Sequence, residues 1–367
     1  DVHSENIIAH GKHPVIVDCE CLLTPILIQN KKHSPRTRNL VCSSLILPIR
    51  NMSNNNYSGF DNSVIGNEAK QKLPFTTLGW KNIGTDNMAI KRVTATSILH
   101  KSRPKLNHRL VKPANFEKTF LTGFSTLYTF LLDHKKIFLS ENTPINYFAN
   151  CISRVIVRPT NHYAKLILES FHPTLLHDAS MRENHFAFLD QTLALTPEYN
   201  NLTDSEKQSL DELNIPIFYT NTSQKHILDC DHRKMNITVT LSPLERVVHN
   251  FNHYWDKADL RIQKTIIHNS FSSLSYNKVT QNPRLVNRAV EKTARSSKEK
   301  PLKKITLKLC ELIYKNTIKD GPHLSWPTIE PAGNKLTSSI TNNSLYNGSL
   351  GIVYAVGLCG YFYNIDA

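Results

Sequence analysis

Apolar positions 116, 120, 121, 124, 127, 128 and 131 recur at helical spacing and predict an amphipathic helix from Phe116 to Leu132. Gly123 inside that stripe costs helix propensity, so the expectation there is close packing against a neighbour. The β-branched run from Pro14 to Asp18 reads as a buried strand, and Ile152 to Val157 reads as a second strand that Pro159 ends. Tyr163 to Phe171 resumes helical spacing. Thr203-Asp204-Ser205-Glu206 has the form of a capping box opening a helix with Leu210 and Leu213, and Ile215 to Tyr219 is extended and apolar. Leu260, Gln263, Ile266 and Ile267 place a helix over Leu260 to Phe271. Leu302, Ile305, Leu309, Leu312 and Ile313 mark a further one. Helical stripes outweigh extended runs, so the body of the chain to about residue 330 is expected to be a mainly helical α+β domain.

Between these elements the composition changes. Residues 30 to 70 are rich in Asn, Ser, Lys and Arg and read as a long irregular stretch where a kinase-like site would have its activation segment. Residues 292 to 304 read as a basic linker, and 320 to 343, with Pro322, Pro327, Pro331 and Gly333, as an interdomain connection. No internal repeat is evident. Leu345 to Tyr363 carries no formal charge over a length close to that of a membrane span. Its four glycines and the turn signal Asn347-Gly348 predict instead a helix preceded by a turn.

The 367 residues, 40% hydrophobic and 20% charged, suit a folded soluble protein. A formal net charge of +14 favours anionic partners such as nucleotides, acidic peptides or nucleic acid. Seven cysteines, odd in number and widely spread, argue against a disulfide framework. Cys19 and Cys21 are too close for a zinc-finger pair and read as buried thiols beside a strand, in keeping with a reducing cytoplasm.

Two clusters carry candidate chemistry. Asp1 and Asn6 have the spacing of a kinase catalytic loop, where the Asp orients a substrate hydroxyl and the Asn holds magnesium. Asp18, after Val15, Ile16 and Val17, stands where a kinase places its other metal-binding carboxylate; the alternative is that Asp18 and Glu20 form a solvated strand end. The chain opens inside this cluster and is expected to be a piece of a longer protein. Arg154, Ile156, Arg158 and Thr160 alternate, so on an extended strand two guanidinium groups and a hydroxyl would share one face as a phosphate clamp. The alternative is that both arginines pair with surface carboxylates and Thr160 caps a helix.

Taken together, the chain resembles type 2 lanthipeptide synthetases (LanM-type lanthionine synthetases). The stretches that carry the resemblance are Asp1-Val2-His3-Ser4-Glu5-Asn6-Ile7-Ile8-Ala9 with Pro14 to Glu20, Gly123-Phe124 with Tyr128, Arg154 to Thr160 with Tyr163, Ile215 to Phe218, and Ser344-Leu345-Tyr346-Asn347-Gly348 with Gly351-Ile352. The resemblance implies an α+β, mainly α fold: the C-lobe of a lipid-kinase-like dehydratase over 1–330, a linker over 331–343, and the first helix of an α/α-toroid cyclase over 344–367. It implies ATP and magnesium as cofactors, with zinc only in a cyclase whose ligands lie outside this sequence. Asp1 and His3 would serve phosphorylation of Ser or Thr in a ribosomal precursor peptide. Asn6, Asp18 and Glu20 would lie on the nucleotide and its metal, magnesium falling to Asn6 and Asp18. Arg154 and Thr160 would act in eliminating the phosphate. The fragment by itself would be inactive, and its C-terminal helix would expose apolar surface for want of its neighbours.

The competing readings are a stand-alone lipid-kinase-like phosphotransferase, a basic nucleic-acid or peptide-binding protein, and a product whose motifs outlived its activity. The first leaves Leu345-Tyr346-Asn347-Gly348 unexplained. The second explains the charge but not the ordered acids, and the aromatic and basic interleaving that grips single strands is not evident. Neither a nucleic-acid partner nor a stable membrane span is expected.

Overall fold

The β-branched run near the start of the chain forms half of a hairpin, β1 (Ile7–His10) with β2 (His13–Ile16), in which Ile7 pairs with Ile16 and Ile8 with Val15. The computed structural model describes residues 2, 4–20, 22–27, 44, 46–47, 63–66, 72–96, 104–140, 143–193, 200–275, 299–320, 323–332, 335–346 and 348–363. Strand β2 was expected to be buried, but Val15 and Ile16 are exposed by 42% and 48%, in a sheet of two described strands. Most of residues 30 to 70 and of the basic stretch at 292 to 304 lie outside the described residues.

The remaining elements, in chain order, begin with two hairpins: β3 (Lys72–Lys81) with β4 (Ala89–Thr96), and β5 (Lys105–Leu106) with β6 (Arg109–Leu110). Helices α1 (Glu117–Asp133) and α2 (Lys135–Phe138) precede strand β7 (Ile152–Val155). A helical run follows: α3 (Thr160–Ser170), α4 (Pro173–Leu176), α5 (Ala179–Phe186), α6 (Phe188–Leu193) and α7 (Asn200–Asp211). Strands β8 (Phe218–Asn221), β9 (His226–Leu228) and β10 (Lys234–Thr238) lead to helices α8 (Pro243–His253), α9 (Lys257–Ser275) and α10 (Glu299–Lys315). The chain then forms β11 (Ile318–Asp320), β12 (His323–Ser325), β13 (Pro327–Ala332), β14 (Lys335–Ile340) and helix α11 (Ser349–Tyr363). The fold is α+β, about half helical. It comprises two units: Asp1–Val17, Lys32–Leu132 and Tyr254–Ala367 form the first, and Asp18–Lys31 with Asp133–His253 the second.

Helix α9 centres the first unit. Its stripe Ile262, Ile266, Ile267 and Phe271 is buried with Leu47 and Ile318, and Phe120, Leu121 and Phe124 of α1 pack against it. Gln263, also on the stripe, is accommodated by donating to Asp259 Oδ1 at 3.2 Å, while Asp259 Oδ2 accepts from the Tyr128 hydroxyl at 2.7 Å. Burial and the Asp259 carboxylate push the Tyr128 hydroxyl above the usual tyrosine range. Its ring stacks on Trp255 with centroids 5.0 Å apart. Gly123 departs from expectation: no described atom lies within 4 Å of where a Cβ would sit, so the residue is not there to admit a close neighbour.

The stretch 320 to 343, expected as a connection, contains strands among its described residues. It carries the hairpins β11–β12 and β13–β14, and Trp326 between them is buried with its indole N–H on the Ile313 carbonyl at 2.9 Å. Helices α10 and α11 pack together, with Lys303 over the Tyr363 ring at 5.4 Å and the thiols of Cys310 and Cys359 adjoining. The expected stripe of α10 is present but its residues Leu302, Ile305, Leu309 and Leu312 are exposed. Helix α11 exposes Leu350, Tyr354, Tyr361 and Phe362, the last two by 78% and 73%. It begins under a loop whose backbone leaves no room for side chains: a Cβ on Gly348 would lie 2.4 Å from the Asn342 carbonyl oxygen, and one on Gly351 only 2.0 Å from that of Leu345. The glycines in this motif are therefore steric requirements. Asn347 lies outside the described residues. No described helix is long and apolar enough to cross a membrane.

In the second unit the antiparallel sheet runs β10-β9-β8-β7. Val155, Phe218, Ile227, Ile237 and Val239 form one buried cluster with Leu202; Tyr163, Leu166, Phe186, Leu189 and Leu210 form another. Helix α7 joins the two, with Leu202 in the first and Leu210 in the second.

Candidate functional site

Strand β7 and the segment that follows Val17 build the described part of the site. The Arg154 N–H donates to the Glu20 carbonyl at 3.0 Å, and the Ser153 hydroxyl reaches the carbonyls of Glu20 at 3.2 Å and Leu22 at 2.5 Å. The segment thus lies along β7, because the strand's edge groups need partners and Glu20 and Leu22 supply them. Farther along, Leu27 packs on the sheet cluster. This docking brings two of the expected site residues together: Arg154 Nη1 donates to Glu20 Oε1 at 2.7 Å. The Arg154 side chain is 19% exposed and that of Glu20 46%. Asp18 turns its Oδ1 toward the Glu20 N–H at 3.1 Å, so the strand-end acids are linked in series to the arginine.

Arg154 and Arg158 do not share a face. Strand β7 ends at Val155, two residues earlier than the sequence pattern suggests, and the alternation stops there. Arg158 turns inward and forks onto Glu206, with Nε to Oε1 at 2.8 Å and Nη2 to Oε2 at 3.0 Å; Nη2 also donates to the Leu189 carbonyl at 3.0 Å. Tyr163 donates its hydroxyl to Glu206 as well. Burial and the neighbouring carboxylate drive that hydroxyl above its usual range, so it stays protonated as a donor. Arg158 is therefore engaged in the interior and is withdrawn from the anticipated clamp.

Glu206 was expected in a capping box. Helix α7 instead begins at Asn200, before Thr203, and both Thr203 and Glu206 are buried. The signal that identifies Glu206 is its spacing: Leu202, Glu206 and Leu210 fall four residues apart on one helical face. A true capping box, unnoticed in the sequence, opens α8. The Ser242 N–H donates to Glu245 Oε2 at 2.8 Å and the Glu245 N–H to Ser242 Oγ at 3.2 Å, with Pro243 at the first helical position.

Thr160 is the first residue of α3 and is exposed; Pro159, not Thr160, occupies the capping position. In the first unit, Asn6 faces Val17 across the hairpin, its carbonyl accepting the Val17 N–H at 3.0 Å. Asp18 follows directly in the chain. Asp1 and His3 lie outside the described residues. Cys19, expected as a buried thiol, is exposed, and Cys21 is also outside. Among the described residues no three His, Cys, Asp or Glu side chains gather as a metal cluster. Asn6 and Asp18 offer an amide and a carboxylate oxygen, the hard donors that magnesium takes.

Comparison with known proteins bears on this arrangement. The model of the family described as a domain of unknown function, DUF4135, matches residues 1–221, a span that contains Asn6, Asp18, Glu20, Arg154, Thr160 and Glu206. The lacticin 481/lactococcin biosynthesis protein LcnDR2 of Lactococcus lactis subsp. lactis is 20% identical over 242 residues, which is 63% of this chain and 25% of that protein. The chain thus covers a quarter of the length of this curated relative. With the family match extending over more than half of its residues, the chain belongs to the DUF4135 family, the family associated with LanM-type lanthipeptide synthetases.

Proposed function

We propose that the chain is the later part of the dehydratase region of a type 2 lanthipeptide synthetase, lipid-kinase-like in fold, and that residues from about 344 open a toroidal cyclase region. The substrate is a ribosomal precursor peptide, and the work is done in the reducing cytoplasm. ATP with magnesium, when bound, supplies the phosphoryl group. Asp1 orients the Ser or Thr hydroxyl of the peptide, and His3 supports it from the same loop. Asn6 and Asp18 hold the metal through oxygen, and Glu20 assists beside them.

Serine and threonine hydroxyls leave poorly until they are phosphorylated. In the second step a base takes the α-proton of the phosphorylated residue. The C–H electrons form the Cα=Cβ bond, and the Cβ–O electrons depart with the phosphate. Arg154 and Thr160 stabilise the charge that collects on the leaving group. The product is dehydroalanine or dehydrobutyrine. Thioether closure belongs to the cyclase, whose zinc ligands we assign outside this sequence; Cys359 is not one of them.

The observation that carries this reading is the family match over residues 1–221, with the acids Asp18 and Glu20 and the cation Arg154 joined in one hydrogen-bonded series within it. The test uses the complete enzyme, its precursor peptide, ATP and magnesium, read by mass spectrometry. Arg154→Ala and Thr160→Ala should accumulate phosphorylated peptide, with elimination slowed on the order of a hundredfold. Asp18→Asn should leave the peptide unmodified. Arg154→Ala peptide without any phosphate would refute the division of labour.

A further inference from the structure

The ion pair between Glu20 and Arg154 joins two residues that the functional reading assigns to different steps. Glu20 grips Arg154 twice, by its carbonyl on the Arg154 N–H at 3.0 Å and by its carboxylate on Nη1 at 2.7 Å. The grip is itself anchored: Ser153 donates to the same Glu20 carbonyl, and Asp18 accepts the Glu20 N–H. A guanidinium carries five N–H donors in a rigid plane. The Glu20 carboxylate occupies one, and no other Arg154 side-chain hydrogen bond is present among the described residues. The planar fork is thus oriented by one arm with its other donors available to an oxyanion.

We infer that Glu20 is a positioning residue for Arg154, fixing the guanidinium for the departing phosphate in addition to any part it takes in phosphorylation. This rests on the elimination role proposed for Arg154. The Coulomb attraction between a guanidinium and a carboxylate is largely screened at a half-exposed site, so the value of the pair lies in orientation. A free arginine side chain samples many rotamers, and a donor displaced by about an ångström can cost on the order of a hundredfold in rate. The carboxylate that would assist beside the metal would then also hold the cation that stabilises the departing phosphate, which would tie the geometry of one step to that of the next.

The experiment bypasses phosphorylation. The complete enzyme is supplied with a synthetic precursor peptide already carrying phosphoserine, with ADP and magnesium, and loss of phosphate is followed by mass spectrometry. Glu20→Ala should slow elimination about tenfold or more. Glu20→Asp, which keeps the charge but withdraws it by one methylene, should also slow it, whereas Glu20→Gln, which keeps an acceptor oxygen in place, should recover most of the rate. The double variant Glu20→Ala/Arg154→Ala should be no slower than Arg154→Ala alone, since the two changes remove one device. Elimination at the wild-type rate in Glu20→Ala, with Arg154→Ala slow, would overturn the positioning role while leaving the functional reading intact. Elimination at the wild-type rate in Arg154→Ala would instead remove the reading on which the role rests, and the role with it. The circular dichroism of each variant should match the wild type, and should Glu20→Ala fail to fold, the contrast between Glu20→Asp and Glu20→Gln decides.

Discussion

Arg158 and Glu206, 48 residues apart, meet as a two-pronged ion pair whose side chains are 8% and 0% exposed, with Tyr163 closing the third side. Burying such a pair is costly, and removing one partner leaves the other charge uncompensated. Glu206→Ala should therefore destabilise the second unit by about 3–5 kcal/mol. Arg158→Met with Glu206→Leu and Tyr163→Phe should lose much less, because it removes both charges and the hydroxyl that donates to Glu206 and keeps the volume. Urea unfolding of the wild type and these variants measures this. A triple variant as unstable as Glu206→Ala would mean that the loss comes from packing and not from the stranded arginine.

The capping box at the start of α8 gives a pH-dependent contribution. The Ser242 N–H, and after it Lys225, hold the Glu245 carboxyl below its ordinary value of 4.5. The folded state thus binds this proton less tightly than the unfolded chain. The cap's contribution is complete above about pH 4.5 and is lost as pH falls through the lower folded value. Glu245→Gln should be less stable than the wild type at neutral pH, and the difference should shrink towards about pH 3. Ser242→Ala should cost about 1 kcal/mol. A Glu245→Gln deficit that is the same at both pH values would show that the carboxylate charge is irrelevant to the cap.

Helices α10 and α11 expose Leu309, Leu312, Leu350, Tyr354, Tyr361 and Phe362 among other apolar side chains. Contiguous exposed apolar surface drives association. Tyr361→Lys with Phe362→Glu should lower self-association, seen by light scattering or sedimentation, without lowering the unfolding midpoint, since both rings are mostly exposed. Unchanged association would mean that these two rings are not the sticky surface.

The helices were legible where apolar periodicity was strong. Phe116 to Leu132 became α1, Leu260 to Phe271 became the core of α9, and Leu302 to Ile313 fell inside α10. Burial was not legible from the same letters. Val15 and Ile16 have the composition of an inner strand but lie in a two-stranded hairpin, and strand neighbours are decided by distant segments. Pro327 and Pro331 suggested a connection, yet both lie in the hairpin β13–β14, and a two-stranded hairpin tolerates proline because each strand has an unpaired edge. At the site, Arg154 and Glu20 were each singled out, but nothing local in the sequence joins residues 134 positions apart. Arg158 misled because the alternation of Arg154, Ile156 and Arg158 presumes a strand that ends at Val155. Its partner was visible in principle, as a glutamate on an otherwise leucine-lined face of α7.

The interrupted layout of the first unit has a consequence for biosynthesis. Chains emerge from the ribosome N-terminus first, and domains generally fold as units during synthesis. Every residue of the second unit has been made once His253 is added, whereas the core of the first needs Ile262, Ile266, Ile267 and Phe271 of α9. The unit written in the middle is therefore completed first, and Ile7 to Ile16 must wait through the translation of more than two hundred residues before the core of their own unit can close.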